Sequence, residues 1–222
     1  MAKLIPIRYI GVMKPAIDRR NLLLGGAAAT VSLCVPARAA TVPAKASIAT
    51  PYQRKILAAA AREKARVSAK LWREDIVGIA DYGQPSWKPR MHLANLENGT
   101  VRSYLTAHGK GSDPQHDGWL KNFSSVPGSE ATSRGAYLTC EWYTGKYGTS
   151  IRLVGLDRDN ATALDRLIVV HPAWYAESNM VDKWGKLGRS QGCFALGHQD
   201  FSDVLLNLSG GRLLFADRIG EG

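Results

Sequence analysis

Apolar positions along this 222-residue chain follow two periods, and the change from one to the other divides it. Between residues 51 and 72 the spacing is helical: Ile56, Ala60, Val67 and Leu71 fall on one face, with Arg54, Lys55, Arg62, Glu63 and Arg66 elsewhere. Thr50-Pro51-Tyr52-Gln53 reads as the helix start, with a hydroxyl N-cap, a proline in the first turn and an amide closing a capping box. The pattern predicts a helix over 51–72 that packs on the main domain and turns its charges to solvent. From Asp75 the pattern becomes strand-like. Strands are predicted over 76–82, 90–96 and 101–107, the last two joined by a hairpin turn at Glu97-Asn98-Gly99-Thr100. His92 falls inside one of them and reads as structural. Residues 108–133 have no period and hold Pro114, Pro127, glycines and hydroxyls; an irregular stretch of this length in a compact domain usually carries function. Strands resume over 135–143, 150–156 and 167–170. A short helix over 201–208, capped by Ser202, and a last strand over 213–215 complete the pattern.

The first residues read as an address. Arg19-Arg20 stand before a weakly apolar run over 22–33, Pro36 breaks the run, and Ala37-Arg38-Ala39 supplies a small-x-small cleavage pattern. This predicts an exported protein of the periplasm or cell envelope, with a twin-arginine-like signal removed after Ala39; the ordinary secretory route is the alternative. Cys34 follows bulky Leu33 and makes a poor lipidation site. The organisation expected is a signal over 1–39, a leader and helix over 40–74, and a catalytic domain over 75–222. No stretch approaches the roughly 18 apolar residues of a membrane span.

Cleavage changes the electrostatic picture. It removes six basic groups and one acidic group, so the net charge drops from +10 to +5. With no basic run or aromatic-spaced basic stripe left, nucleic-acid binding is excluded as a reading. A mild positive charge suits an anionic polymer such as cell wall. Two cysteines remain, Cys140 in a strand-like run and Cys193 in a glycine turn. In an oxidising compartment a single disulfide between them is the plain alternative to chemistry.

The chemistry concentrates in Lys186-Leu187-Gly188-Arg189-Ser190-Gln191-Gly192-Cys193-Phe194, read with Val170-His171-Pro172. A thiol in a glycine turn needs a base to attack a carbonyl at neutral pH, and an imidazole at the end of a buried strand would provide one. In this reading Cys193 becomes acylated and His171 moves the proton, while a backbone carbonyl near Pro172 fixes the imidazole tautomer. Amides of Gly192 and Cys193 would face the developing oxyanion. Arg189 would lower the thiol pKa or bind a substrate carboxylate, or else form a surface ion pair.

Three blocks carry a resemblance: His108 to Ser112 (HGKGS), Phe123 to Ser129 (FSSVPGS) and Leu187 to Cys193 (LGRSQGC), with Asp81-Tyr82 and Arg90 before them. In this order they resemble the murein L,D-transpeptidase catalytic domain family, the YkuD-like L,D-transpeptidases, over roughly 76–215. The resemblance implies a mostly β, α+β domain with a mixed sheet cradle, short helices and the N-terminal helix. It implies a cysteine acyl-enzyme that takes a tetrapeptide stem of peptidoglycan, cleaves the L,D bond before the terminal D-alanine and passes the acyl group to an amine of another stem. By position, Cys193 is the nucleophile, His171 the base, Ser190 and Gly192 the turn and oxyanion elements. His108, Ser112 and Arg189 then belong to the substrate-binding wall. No cofactor is implied. Two departures stand out: Pro172 replaces the commoner glycine after the histidine, and Phe194-Ala195 replaces a polar residue soon after the cysteine.

Other readings remain open at this level. Water in place of the amine gives an L,D-carboxypeptidase or endopeptidase. His108, Asp113, His116, Asp117, His171 and His198 are candidate zinc ligands of a wall-peptide hydrolase, without compact ligand spacing. A wall-binding module with a buried or cross-linked Cys193 is the non-catalytic reading.

Overall fold

The structure, a computed structural model, describes residues 49–146 and 148–219. The predicted signal and most of the leader therefore lie outside the described residues. Eight strands form one mixed sheet: β1 (Ile76–Asp81), β2 (Met91–Asn95), β3 (Thr100–Tyr104), β4 (Gly135–Gly145), β5 (Gly148–Gly155), β6 (Val169–Pro172), β7 (Phe194–Leu196) and β8 (Leu213–Asp217). Their order is β3-β2-β1-β8-β4-β5-β6-β7. The β1–β8 and β6–β7 pairs are parallel and the others antiparallel. Chain leaving β3 bridges at Ala107 to Ala195 and at Gly109 to Ser190. One segment thus ties the β3 edge to the β7 edge.

Helix α1 (Pro51–Val67) starts as its sequence dictates. Thr50 Oγ1 accepts from Gln53 N–H at 3.1 Å, and the Gln53 amide oxygen accepts from Thr50 N–H at 2.9 Å. Ile56, Ala60 and Val67 pack with Val77, Ile79, Ala94, Leu213 and Phe215. The second core holds Tyr82, Leu93, Tyr137, Ile151, Leu153, Val170 and Phe194 with Phe201, Val204 and Leu208 of α3 (His198–Leu208). Phe194 is fully buried there, a position where truncation to alanine typically costs about 3–5 kcal/mol.

Several expectations are corrected. The first helix ends at Val67 and continues only as a 3₁₀ turn, Ser68–Lys70. Glu63 is buried and not solvated, its carboxylate held by Arg62 at 2.9 Å and Arg66 at 2.7 Å. The strand expected over 167–170 begins at Val169, because Leu167 turns to φ 56° and is exposed. Two elements were not predicted, the short strand β7 and the seven-residue helix α2 (Ser178–Trp184). Helix α3 begins at His198 and not near Ser202. Its first amide is taken at 2.8 Å by the carboxylate of distant Glu177, while Ser202 Oγ lies inside the helix and donates to His198 O.

Candidate active site

The turn before β7 is built from hydroxyl and glycine. Ser190 Oγ donates to Cys193 O at 2.7 Å and accepts from Gly192 N–H at 3.1 Å. Gly192 has φ 111°, and a β-carbon there would stand 2.7 Å from Ala131 O and 3.0 Å from Arg166 Nη2. Both the backbone angle and the crowding demand glycine. Cys193 emerges from this turn almost wholly buried, its thiol directed at Leu167 O, 3.7 Å away.

The parallel register of β6 and β7 pairs Val170 with Phe194 and His171 with Ala195. Side chains alternate along a strand, so His171 and Cys193 leave neighbouring backbones on the same face, offset by two residues in the register. His171 Nδ1 lies 3.0 Å from Pro172 O. A carbonyl only accepts, so Nδ1 carries the hydrogen and the lone pair of a neutral ring sits on Nε2. Burial holds the imidazole pKa below its ordinary value, with the Pro172 bond opposing. Burial pushes the Cys193 thiol up, against the Val169 amide and the Arg166 guanidinium, which both lower it. At rest Cys193 is a thiol and His171 a neutral imidazole.

The other expected site residues form the wall behind this turn. His108 is buried; its Nδ1 accepts from Arg90 Nη2 at 2.7 Å and its Nε2–H faces Asp113 Oδ2 at 3.3 Å. Burial, then the charge of Arg90, depress its pKa to about 3, so the Asp113 contact is a hydrogen bond from a neutral ring and not an ion pair. Asp113 O accepts from Arg189 Nη1, as does Pro114 O at 3.4 Å. Ser112 is fully buried, and its Oγ accepts from Thr132 N–H at 3.0 Å. Lys110 N–H donates to Ser190 O and Ser190 N–H to His108 O, both at 2.8 Å. Gly109 allows this approach: a β-carbon there would stand 2.3 Å from Glu130 O and 2.8 Å from Gly192 N. The first and third sequence blocks and the end of the irregular stretch thus meet in space. His108 and Ser112, expected in the substrate-binding wall, are both buried behind its surface.

The residues weighed as zinc ligands in the alternative reading do not converge. His116 Nε2 bonds Leu187 O at 3.0 Å, His198 Nδ1 pairs with Glu177 at 2.7 Å, and His171 is held at Pro172. Among the described residues no three His, Cys, Asp or Glu side chains gather as a metal cage. Cys140 and Cys193 are both free thiols, so the disulfide alternative is not realised.

Sequence reasoning missed Arg166. Its guanidinium donates to Ser124 O at 3.0 Å, Ser133 Oγ at 2.8 Å and Ala131 O at 2.6 Å, just behind Gly192. No local pattern marks it, since its partners, two carbonyls and a hydroxyl, lie more than thirty residues away. Two hollows flank the Cys193 turn. One, of about 330 Å³, is lined by Pro127, Gly128, Glu130, Asp165, Arg166 and Gln191. The other, of about 950 Å³, runs beside Trp174, Met180, Trp184 and Leu187.

A mixed sheet with a few helices and a cysteine turn at its edge define the class. Residues 49–216 match the L,D-transpeptidase catalytic domain family, and the chain belongs to it. No curated protein matches the sequence. Solved structures similar to it include an L,D-transpeptidase from Mycobacterium smegmatis, at 15% identity and TM-score 0.40 over 64% of this chain and 58% of that one. Another is L,D-transpeptidase 3 from Mycobacterium tuberculosis carrying a faropenem-derived adduct, at 12% identity and TM-score 0.42 over 64% and 60%. The helical cell shape determining protein from Campylobacter jejuni matches at 12% identity and TM-score 0.42, over 78% and 58%. The chain thus spans less than two thirds of the length of these solved proteins. Among the described residues no helix is long and apolar enough to cross a membrane.

Proposed function

We propose that this protein is an exported cysteine L,D-transpeptidase that acts on peptidoglycan stem tetrapeptides. The observation that carries the reading is the fixed tautomer of His171 on the strand beside Cys193, within a chain of this family. His171 Nε2 takes the thiol proton as sulfur attacks the carbonyl carbon of the L,D bond. The carbon–nitrogen bond then breaks, and the imidazolium returns that proton to the departing D-alanine amine. A thioester remains on Cys193. An amine of a second stem attacks it, His171 takes a proton from the amine, and the carbon–sulfur bond breaks. The thiolate recovers the proton.

Gly192 N–H is already given to Ser190 Oγ, so the oxyanion role falls to the Cys193 amide, with Ser190 and Gly192 shaping the turn. His108, Ser112 and Arg189 serve substrate binding indirectly, by fixing the wall through Asp113 and Thr132.

Mass spectrometry after incubation with purified stem tetrapeptides tests the reading. Cross-linked dimers that vanish in Cys193→Ala support it. Monomers shortened by D-alanine point to water as acceptor, and an unchanged substrate contradicts both enzymatic readings.

A further inference from the structure

The Cys/His reading leaves one group at the site without a task. Arg166 is partly buried, and its three hydrogen-bond acceptors are two carbonyls and a hydroxyl. None carries a charge, so the guanidinium keeps its full positive charge where water is partly excluded. Its Nη2 lies 3.0 Å from where a Gly192 β-carbon would stand, and the next carbonyl along its own chain, Leu167 O, is the one the thiol faces. Two carboxylates share the adjoining hollow. Glu130 is held by Lys110 at 2.8 Å and Gln191 at 2.9 Å, and Asp165 is exposed. Tyr137 also interacts electrostatically with the guanidinium, but burial keeps its phenol neutral.

We propose that Arg166 is a positioning residue for Cys193. Its guanidinium pins residues 124–133 against the Gly192-Cys193 turn and holds a positive charge beside the sulfur as the thiolate forms. The inference rests on Cys193 being the nucleophile, and a β-carbon at Gly192 would crowd the guanidinium at 3.0 Å.

The test reads the thiol and not the turnover. The pH profile of Cys193 alkylation by iodoacetamide is followed by peptide mass spectrometry in wild type, Arg166→Lys, Arg166→Gln and Arg166→Met. Circular dichroism confirms the fold of each, and Gln is included because it keeps a hydrogen-bond donor where Met has none. The neutral variants should have profiles displaced to higher pH, with alkylation at neutral pH slowed roughly fivefold, within the reach of one nearby charge on a thiol. Arg166→Lys should stay close to wild type. Folded neutral variants whose Cys193 profile is unchanged would overturn the proposal, as would a Lys variant displaced as far as Gln. Unfolding of both neutral variants beside a folded, wild-type-like Lys variant would support the need for charge at this position. If instead Cys193→Ala retains full activity, the functional reading fails while the alkylation profiles still report on Arg166.

Discussion

Two thiols of similar burial sit in this molecule, and their surroundings differ. Cys140 and Cys193 are 9% and 8% exposed, and burial raises the pKa of each. Cys140 lies where the β4–β5 register shifts between Thr139 and Trp142, its thiol turned toward Leu138 O at 3.8 Å. Glu141 beside it raises the thiol further, and only Arg152 opposes. At Cys193 both neighbouring influences, the Val169 amide and Arg166, favour the thiolate, and the next strand presents His171 on the same face. Burial alone makes a cysteine inert. A neighbouring imidazole of fixed tautomer, and a positive charge with no carboxylate set against it, are what set the second site apart.

The comparison breaks most sharply at the base. His171→Ala should reduce product formation about a thousandfold, the scale of one general acid–base group, whereas Cys140→Ala should change it less than twofold. Rates of stem-peptide conversion measured by mass spectrometry check both.

Next in size is the backbone of the Cys193 turn. Gly192→Ala meets a φ of 111° and a carbonyl at 2.7 Å, so a loss of about 2–3 kcal/mol and at least tenfold in activity is expected. Gly185 also has a positive φ, 68°, but open space around it, and Gly185→Ala should cost about 1 kcal/mol and leave the rate unchanged. Urea unfolding and activity together separate the two.

Acid acts on three buried, neutral imidazoles, His171 and His108 around the Cys193 turn and His92 beside Tyr52 of α1. Burial is the leading cause of a depressed pKa at His171, at His108, down to about 3, and at His92, down to about 4. The unfolded chain therefore binds more protons than the folded one below the ordinary histidine value. Stability is complete above about pH 6.5 and falls from there toward pH 4, by up to about 1.4 kcal/mol per pH unit for each imidazole. Urea midpoints across that range check the slope, and substitution of His92 by Gln should make it shallower.

The smallest effect belongs to the other thiol. Glu141→Gln removes the charge that raises Cys140, so its alkylation at neutral pH should quicken about twofold, with Cys193 unaffected. Equal changes at both thiols would erase the distinction.

What the sequence disclosed follows from how local each cause is. The capping box at Thr50 and the alternation through β1 to β5 act between near neighbours, and those elements lie close to where the pattern put them. Strand β7 has three residues and exists through its pairing with β6. The start of α3 is set by Glu177, twenty-one residues upstream. The candidate site divides in the same way. Cys193 and His171 stood out as residue types in a turn and a strand, and the three blocks gave the family. Arg166 did not stand out, because only the folded chain brings Ser124, Ala131 and Ser133 to it. The partners that hold His108 and Ser112 in the wall, Arg90, Asp113 and Thr132, were not legible in the sequence.

The most direct measurement is to trap the acyl-enzyme. Wild-type protein is quenched in acid during incubation with stem tetrapeptide, digested and mapped by mass spectrometry. The account predicts a thioester-linked tripeptide on the fragment holding Cys193 and none on the fragment holding Cys140. An adduct on Cys140, or turnover without any adduct and undiminished in Cys193→Ala, would contradict it.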